Sequence, residues 1–408
     1  MKKSLILTGL FIGLLTGCAP SVTPSPPPAG PPAPTARPVA HAQATASAVS
    51  SSPPAATLSP PNDLTFSPIA PLAEPIAPLT RSFVKVTLPG VKRGVTALDG
   101  RGPNDLWILT QEEMTDRIGV TVGGEVFQYD GSKVKAYGHA CAFSVFGNVM
   151  VSQDAVVVLG FRPWSRGVYT SFRAALLPSG IWNCDDDNGG YWMGLTSTTG
   201  DHVWELSWQG RSGSLRASGG PEVRLPVEDP SSDEHGEDRP LLIQGISMRG
   251  TDNGYMVRKG GDGRPWFYRF NGVAWAPLAP LDKHMAVADM FTAGADDVWI
   301  AIRWNGQEEG PANDLLHWDG KTLALVAVPA AFAVRQVGAD SPDNVWFGGE
   351  GSTLYQWDGK ILRRGSAPFA VGDMWVGKGE IWLAPALSDD GSPIGLVAKA
   401  TPLKGATP

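Results

Sequence analysis

The chain has 408 residues and a formal net charge of −7, with 33 Lys and Arg against 40 Asp and Glu. An acidic balance of this kind argues against a protein that grips nucleic acid or an anionic bilayer, because those partners need a basic face. A hydrophobic content of 42%, with 15 Trp and 49 Gly, describes a chain able to build a sizeable core from short, often interrupted segments.

The N-terminus reads as a secretory signal. Lys2 and Lys3 give a positive start, and Leu5 to Leu15 is an apolar run too short to span a bilayer as a mature helix. It ends in Leu15-Thr16-Gly17-Cys18. That string resembles the lipobox of bacterial lipoproteins, with Leu, a small residue and Gly before a Cys whose thiolate takes the lipid. The resemblance implies that residues 1–17 are removed and that Cys18 becomes the acylated first residue, anchored in a lipid bilayer. Each buried CH₂ of its chains would contribute about 0.8 kcal/mol. Ala19 follows, where the enterobacterial sorting pattern places Asp for inner-membrane retention. The expected address is therefore the bacterial cell envelope, at the outer membrane. Without Lys2 and Lys3 the charge becomes −9.

Residues 18–80 read as a disordered Pro/Ala/Ser-rich linker. Positions 19–80 hold 17 of the 36 prolines, and only Arg37, Asp63 and Glu74 are charged. Such a segment has too little bulky apolar surface to fold and favours extended polyproline II. It closes with a small internal repeat, Pro68-Ile69-Ala70-Pro71-Leu72 followed by Pro75-Ile76-Ala77-Pro78-Leu79. A tether that stands a domain off the lipid surface is the expected role; a docking segment for a Pro-binding partner is the alternative.

From residue 81 one phrase recurs. It reads Asn104-Asp105-Leu106-Trp107, Asp201-His202-Val203-Trp204, Asp296-Asp297-Val298-Trp299, Asp343-Asn344-Val345-Trp346 and Gly379-Glu380-Ile381-Trp382. Weaker copies are Asp154-Ala155-Val156-Val157 and Asp252-Asn253-Gly254-Tyr255. Their last residues fall at 107, 157, 204, 255, 299, 346 and 382. Seven units of roughly 46 residues, each with four short alternating runs, predict an all-β, seven-bladed β-propeller over residues 81–404, with a tail at 405–408. In the fifth unit the runs are Ala286 to Phe291, Val298 to Ile302, Leu315 to Trp318 and Leu323 to Val328.

The seventh unit is one strand short at its C-terminus. Phe83 to Leu88 matches the register of a fourth strand, so the N-terminal strand is expected to complete the last blade. Turn carboxylates such as Asp296 and Asp297 are expected to cap backbone amides. Asp130-Gly131, Asn271-Gly272, Asp319-Gly320 and Asp358-Gly359 are expected to form type I′ hairpins.

The run Ser341-Pro342-Asp343-Asn344-Val345-Trp346-Phe347-Gly348-Gly349, followed by Leu354-Tyr355-Gln356-Trp357-Asp358-Gly359, resembles repeats in secreted propeller lipoproteins of large-genome bacteria such as myxobacteria. The resemblance implies a fold and an address, and no activity.

Function is expected where the units differ, in the loops joining second to third strands. Four of these carry aromatic and Arg side chains: Arg162, Trp164 and Arg166; Trp208 and Arg211; Arg264 and Trp266; and Trp304. Flat indole faces and guanidinium forks suit sugar rings or peptide segments, although the same Trp residues could pad loops against neighbouring blades.

Cys141 and Cys184 are a disulfide candidate, with two buried free thiols as the alternative. Asp185 to Gly190 only loosely resembles a calcium loop, and Glu228 to Asp238 reads as a solvated acidic insertion. No catalytic motif, metal-ligand spacing or cofactor signature stands out. The reading is a lipid-anchored, monomeric propeller that binds an extracytoplasmic protein or glycan. The alternatives are a carbohydrate-active lyase or hydrolase using Glu112, Glu113, Asp262 or Glu308, and a structural subunit of an envelope complex.

Overall fold

A computed structural model describes residues 76–110, 113–115, 120–122, 124–140, 145–164, 168–186, 191–196, 201–209, 212–218, 220, 222–225, 243–260, 263–304, 313–326, 332–349, 351–386 and 395–402. Cys18 and most of the linker lie outside them.

The expected seven-bladed propeller is the fold. Seven sheets share one antiparallel four-strand core pattern. The first strand of each blade is innermost: Val95–Gly102, Val145–Val151, Tyr191–Thr196, Ile243–Arg249, Met285–Gly294, Val334–Ser341 and Val371–Gly377. These seven strands neighbour one another in chain order, and the last lies against the first.

Blade packing explains the sequence of the second strands. In Asp297–Trp304 the side chains of Val298, Ile300 and Ile302 face the core shared with the fourth blade, while Trp299 and Ala301 face the core shared with the sixth. A strand covered on both faces needs continuous apolar residues. Inner strands border the channel on one side, so their pattern is mixed.

The last blade closes as expected. Arg81–Thr87 pairs antiparallel with Leu396–Pro402, placing Phe83 opposite Ala400 and Val86 opposite Val397. The ring is thus sealed by hydrogen bonds, with no unpaired fourth-strand position left on that blade. The folded part also begins before Arg81, because Ala77–Pro78 adds a fifth strand to the sixth blade.

The recurrent phrase is a side-chain clasp rather than an amide cap. Asp105 accepts from the indole of its own Trp107 at 2.9 Å and from Gln128 at 2.7 Å. Asn344 does the same with Trp346 and Gln356, both at 2.8 Å. In the fifth and seventh blades the partners are Asp297–His317 at 3.2 Å and Glu380–Lys399 at 2.6 Å. Each third-strand partner is registered directly opposite the Trp. His317 also stacks on Trp299 with ring centroids 4.0 Å apart. In these four blades the phrase bolts the second strand to the third beside a buried indole, whereas in the third blade Trp204 donates to Gly250 O of the next blade.

The hairpin turns also differ from expectation. Gly131, Gly272, Gly320 and Gly359 have positive φ, and the residue after each does not. That is the type II′ pattern, with Gly at the first central position. The preceding Asp or Asn therefore sits one place earlier than a type I′ turn would put it. From there its side chain accepts two following amides, as Asp319 does from Lys321 at 2.8 Å and Thr322 at 2.7 Å. The Thr322 amide is the main cause holding the Asp319 carboxyl below the usual carboxylate range.

Trp346 is fully buried at the core between the sixth and seventh blades. Trp346→Ala is expected to cost about 3–5 kcal/mol, the range for aromatic truncation in a core. Urea unfolding would show this as a lower midpoint with an unchanged slope.

Candidate functional site

The inner strands enclose a central channel of about 660 Å³. Its acidic lining comprises Asp99, Asp289, Asp340 and Asp373; Arg101, Arg249 and Lys378 line it near the first-to-second-strand turns. The candidates drawn from the loops do not include these residues.

The carboxylates reach from blade to blade. Asp289 accepts from its neighbour Met290 N and, across the junction, from Val337 N, both at 2.8 Å. Asp373 accepts from Leu98 N at 2.6 Å, joining the seventh blade to the first. Asp99 accepts from Val151 N at 2.7 Å, and Asp340 from Gly379 N at 2.5 Å. Ser247 plays the same part between the fourth and fifth blades, accepting from Thr292 N at 2.9 Å.

Asp289 and Asp373 occupy equivalent register positions, opposite Ala301 and Ala384. A sequence signal for them exists: Val287-Ala288-Asp289-Met290-Phe291 and Val371-Gly372-Asp373-Met374-Trp375 share Val, Asp-Met and a terminal aromatic. It is weak because the other five blades carry different residues at that place.

Burial drives both carboxyls upward, Asp289 to about 7 and Asp373 to about 6, against the opposing pull of the amide hydrogen bonds. Each is half-buried, on the wall of a channel wide enough to hold water. The surrounding protein still removes much of the bulk solvent, and that loss governs the shift.

The loop candidates are placed less centrally. Arg162 and Trp164 belong to the long strand Val156–Trp164, which pairs residue by residue with Val168–Leu176, rather than to a loop. Trp208 likewise lies on Val203–Gln209, opposite Tyr191 and Gly213. Arg166 and Arg211 lie outside the described residues. Arg264 is exposed just before Pro265–Phe270, and Trp266 is half-buried on that strand. Trp304 ends its strand and packs against the core between the fourth and fifth blades, matching the padding alternative. Arg264, Trp266 and Trp304 share the end of the blades where second strands pass to third, and none of these three lines the channel.

Of the carboxylates considered for turnover, Glu112, Asp262 and Glu308 lie outside the described residues, and Glu113 begins a short extra strand, Glu113–Thr115. Asp185 and Asp186 belong to the strand Trp182–Asp186; residues 187–190 and 228–238 lie outside. Cys184 is disulfide-bonded, with its Sγ 3.1 Å from the carbonyl oxygen of Ala140. Cys141 lies outside the described residues.

Fold and channel together define a seven-bladed β-propeller whose inner strands are linked through polar side chains. Solved structures share that architecture. Virginiamycin B lyase from Staphylococcus aureus superposes with a TM-score of 0.53 at 11% identity, covering 79% of this chain and 100% of the other. YCF48 bound to D1 peptide gives 0.51 at 12%, covering 82% and 100%. A GH74 xyloglucanase from Xanthomonas campestris gives 0.50 at 12%, covering 75% and 52%. At these identities the likeness shows the fold alone. No family model and no curated protein matches the chain.

The channel carboxyls link stability to pH. Their folded values lie above the unfolded value near 4, so between about 4 and 7 the folded state binds more protons. The contribution is fully present below about pH 4 and is lost as pH rises through 6 and 7. From pH 5 to 8 this loss should reach at most about 4 kcal/mol for the two groups together, less as channel water screens their charge. Asp289→Asn should flatten the dependence, as read by urea midpoints across that range.

Proposed function

We propose that this protein is a lipid-anchored binding or scaffold lipoprotein of the bacterial envelope. Its rigid propeller presents the second-to-third-strand ends of blades two to five to an extracytoplasmic protein or glycan. The observation that carries the reading is the division of labour among polar groups. The channel carboxylates are engaged by backbone amides, three of them across blade junctions and Asp289 across one as well. Those groups serve the ring. The Arg- and Trp-bearing strand ends vary in sequence from blade to blade.

Arg264 and Trp266 are the described pair best placed to contact a partner, with Trp164 and Trp208 on the two preceding blades. An indole supplies a flat apolar face and Arg a planar donor fork, a combination common at binding hot spots. Trp304 contributes to the core and is not assigned to the surface. The likeness to a propeller solved with a peptide is compatible with a protein partner, and the likeness to a lyase and a xyloglucanase leaves turnover on the same fold as the rival.

Peptide and glycan arrays probed with the mature chain test the face. Changing Arg264, Trp266, Trp164 and Trp208 to Ala should weaken binding by at least about tenfold, the scale of a hot-spot loss. Binding indifferent to all four substitutions would sink the assignment.

The anchor and the disulfide share one measurement. The expected products are an acylated Cys18 peptide and a Cys141–Cys184 linked peptide in a non-reducing digest of membrane-extracted protein. Cys18→Ser should move the protein from the membrane to the soluble fraction. An unmodified Cys18 peptide would remove the anchor from the reading.

A further inference from the structure

The outer edge of the sixth blade already holds an extended peptide, and its occupant exists twice in the chain. Ala77–Pro78 runs parallel to Leu362–Ser366, with Ala77 opposite Arg363 and Pro78 opposite Arg364. Leu79 N donates to Arg364 O at 2.9 Å. Pro78 brings no N–H, which an edge strand tolerates.

Two side chains anchor the segment on opposite sides of the blade. Ile76 packs against the core between the fifth and sixth blades. Leu79 is 5% exposed and enters the core between the sixth and seventh blades with Trp346 and Leu354. Gly365 makes room for it, since a Cβ there would collide with the Leu79 side chain. The edge therefore reads the pattern Ile-x-x-Leu in an extended backbone. Pro68-Ile69-Ala70-Pro71-Leu72 presents that pattern with the same five residues as Pro75 to Leu79, seven positions earlier.

We infer that the blade-six edge is a binding groove for Ile-Ala-Pro-Leu segments, and that residues 69–72 of the same chain exchange with residues 76–79 as its occupant. Both copies offer the groove identical side chains. The second arrangement differs only in looping out the seven residues between Leu72 and Thr80, so it is the minor one. Its proximity favours it over a segment from another molecule, because a tethered ligand acts at high effective concentration. Each exchange shortens the free tether by seven residues, roughly 20 Å of extended polyproline chain.

Hydrogen exchange on the mature chain tests this. In the wild type, protection concentrates at the Leu79 amide. In an Ile76→Ser/Leu79→Ser variant that retains its melting transition, the Leu72 amide should gain protection by at least about tenfold over wild type. An unchanged Leu72 amide overturns the proposal. Protection that appears only with rising concentration and a doubled particle mass assigns residues 69–72 to a second copy's groove, and overturns exchange within the chain. If the double variant does not fold, the milder Leu79→Ala variant is measured in the same way. A gain of protection at residue 72 that disappears when Leu72→Ser is added supports the exchange; an unchanged residue 72 overturns it.

Discussion

The junction between neighbouring blades is the constraint on which the molecule depends. A propeller has no central core, so each blade must be fixed to the next. Here a polar link spans each of the seven junctions. In ring order they include Asp99 to Val151 N, Gln153 to Asp201, Trp204 to Gly250 O, Ser247 to Thr292 N, Asp289 to Val337 N, Asp340 to Gly379 N and Asp373 to Leu98 N. Between these links lie apolar wedges built on Trp107, Trp204, Trp299, Trp346 and Trp382. A directional bond sets the angle between blades, while the wedge supplies most of the favourable burial. Closure by Arg81–Thr87 brings the last blade to full width, so the final junction is built like the others.

Placing carboxylates at those junctions has an electrostatic consequence. Asp289 and Asp373 lie where protein surrounds them, and their charged forms are disfavoured despite the amides they accept from. A perturbed carboxyl in a cavity often marks an active site. Here burial between the blades raises both carboxyls while the amides that hold the blades together pull the other way, so the perturbation has a structural cause.

The candidate face was legible in part. Arg and Trp accumulate between second and third strands, and the structure places Arg264 and Trp266 at that end of the fourth blade. It misjudged where strands stop: Arg162 and Trp164 continue the ladder opposite Thr170 and Val168. Residue type says little about how far a hairpin extends, because partners on the other strand decide it. Trp304 shows the matching difficulty, since an indole looks the same in sequence whether it meets a ligand or a core. The channel acids were harder still. The four come one each from the first, fifth, sixth and seventh blades, and only the folded ring brings Asp289 of the fifth blade near Asp373 of the seventh.

The sequence by itself determined the blade number, the spacing, the all-β class and the closing strand, because these follow from local periodicity repeated seven times. It also held the doubled Ile-Ala-Pro-Leu segment in plain view. Tertiary structure alone decided what the recurrent acidic positions do. Asp105 and Asp297 meet third-strand side chains, while Asp99, Asp340 and Asp373 meet amides of adjoining blades. Such partners lie 20 to 275 residues away along the chain, and only the folded blades and, for Asp373 and Leu98, the closed ring bring them within hydrogen-bonding distance.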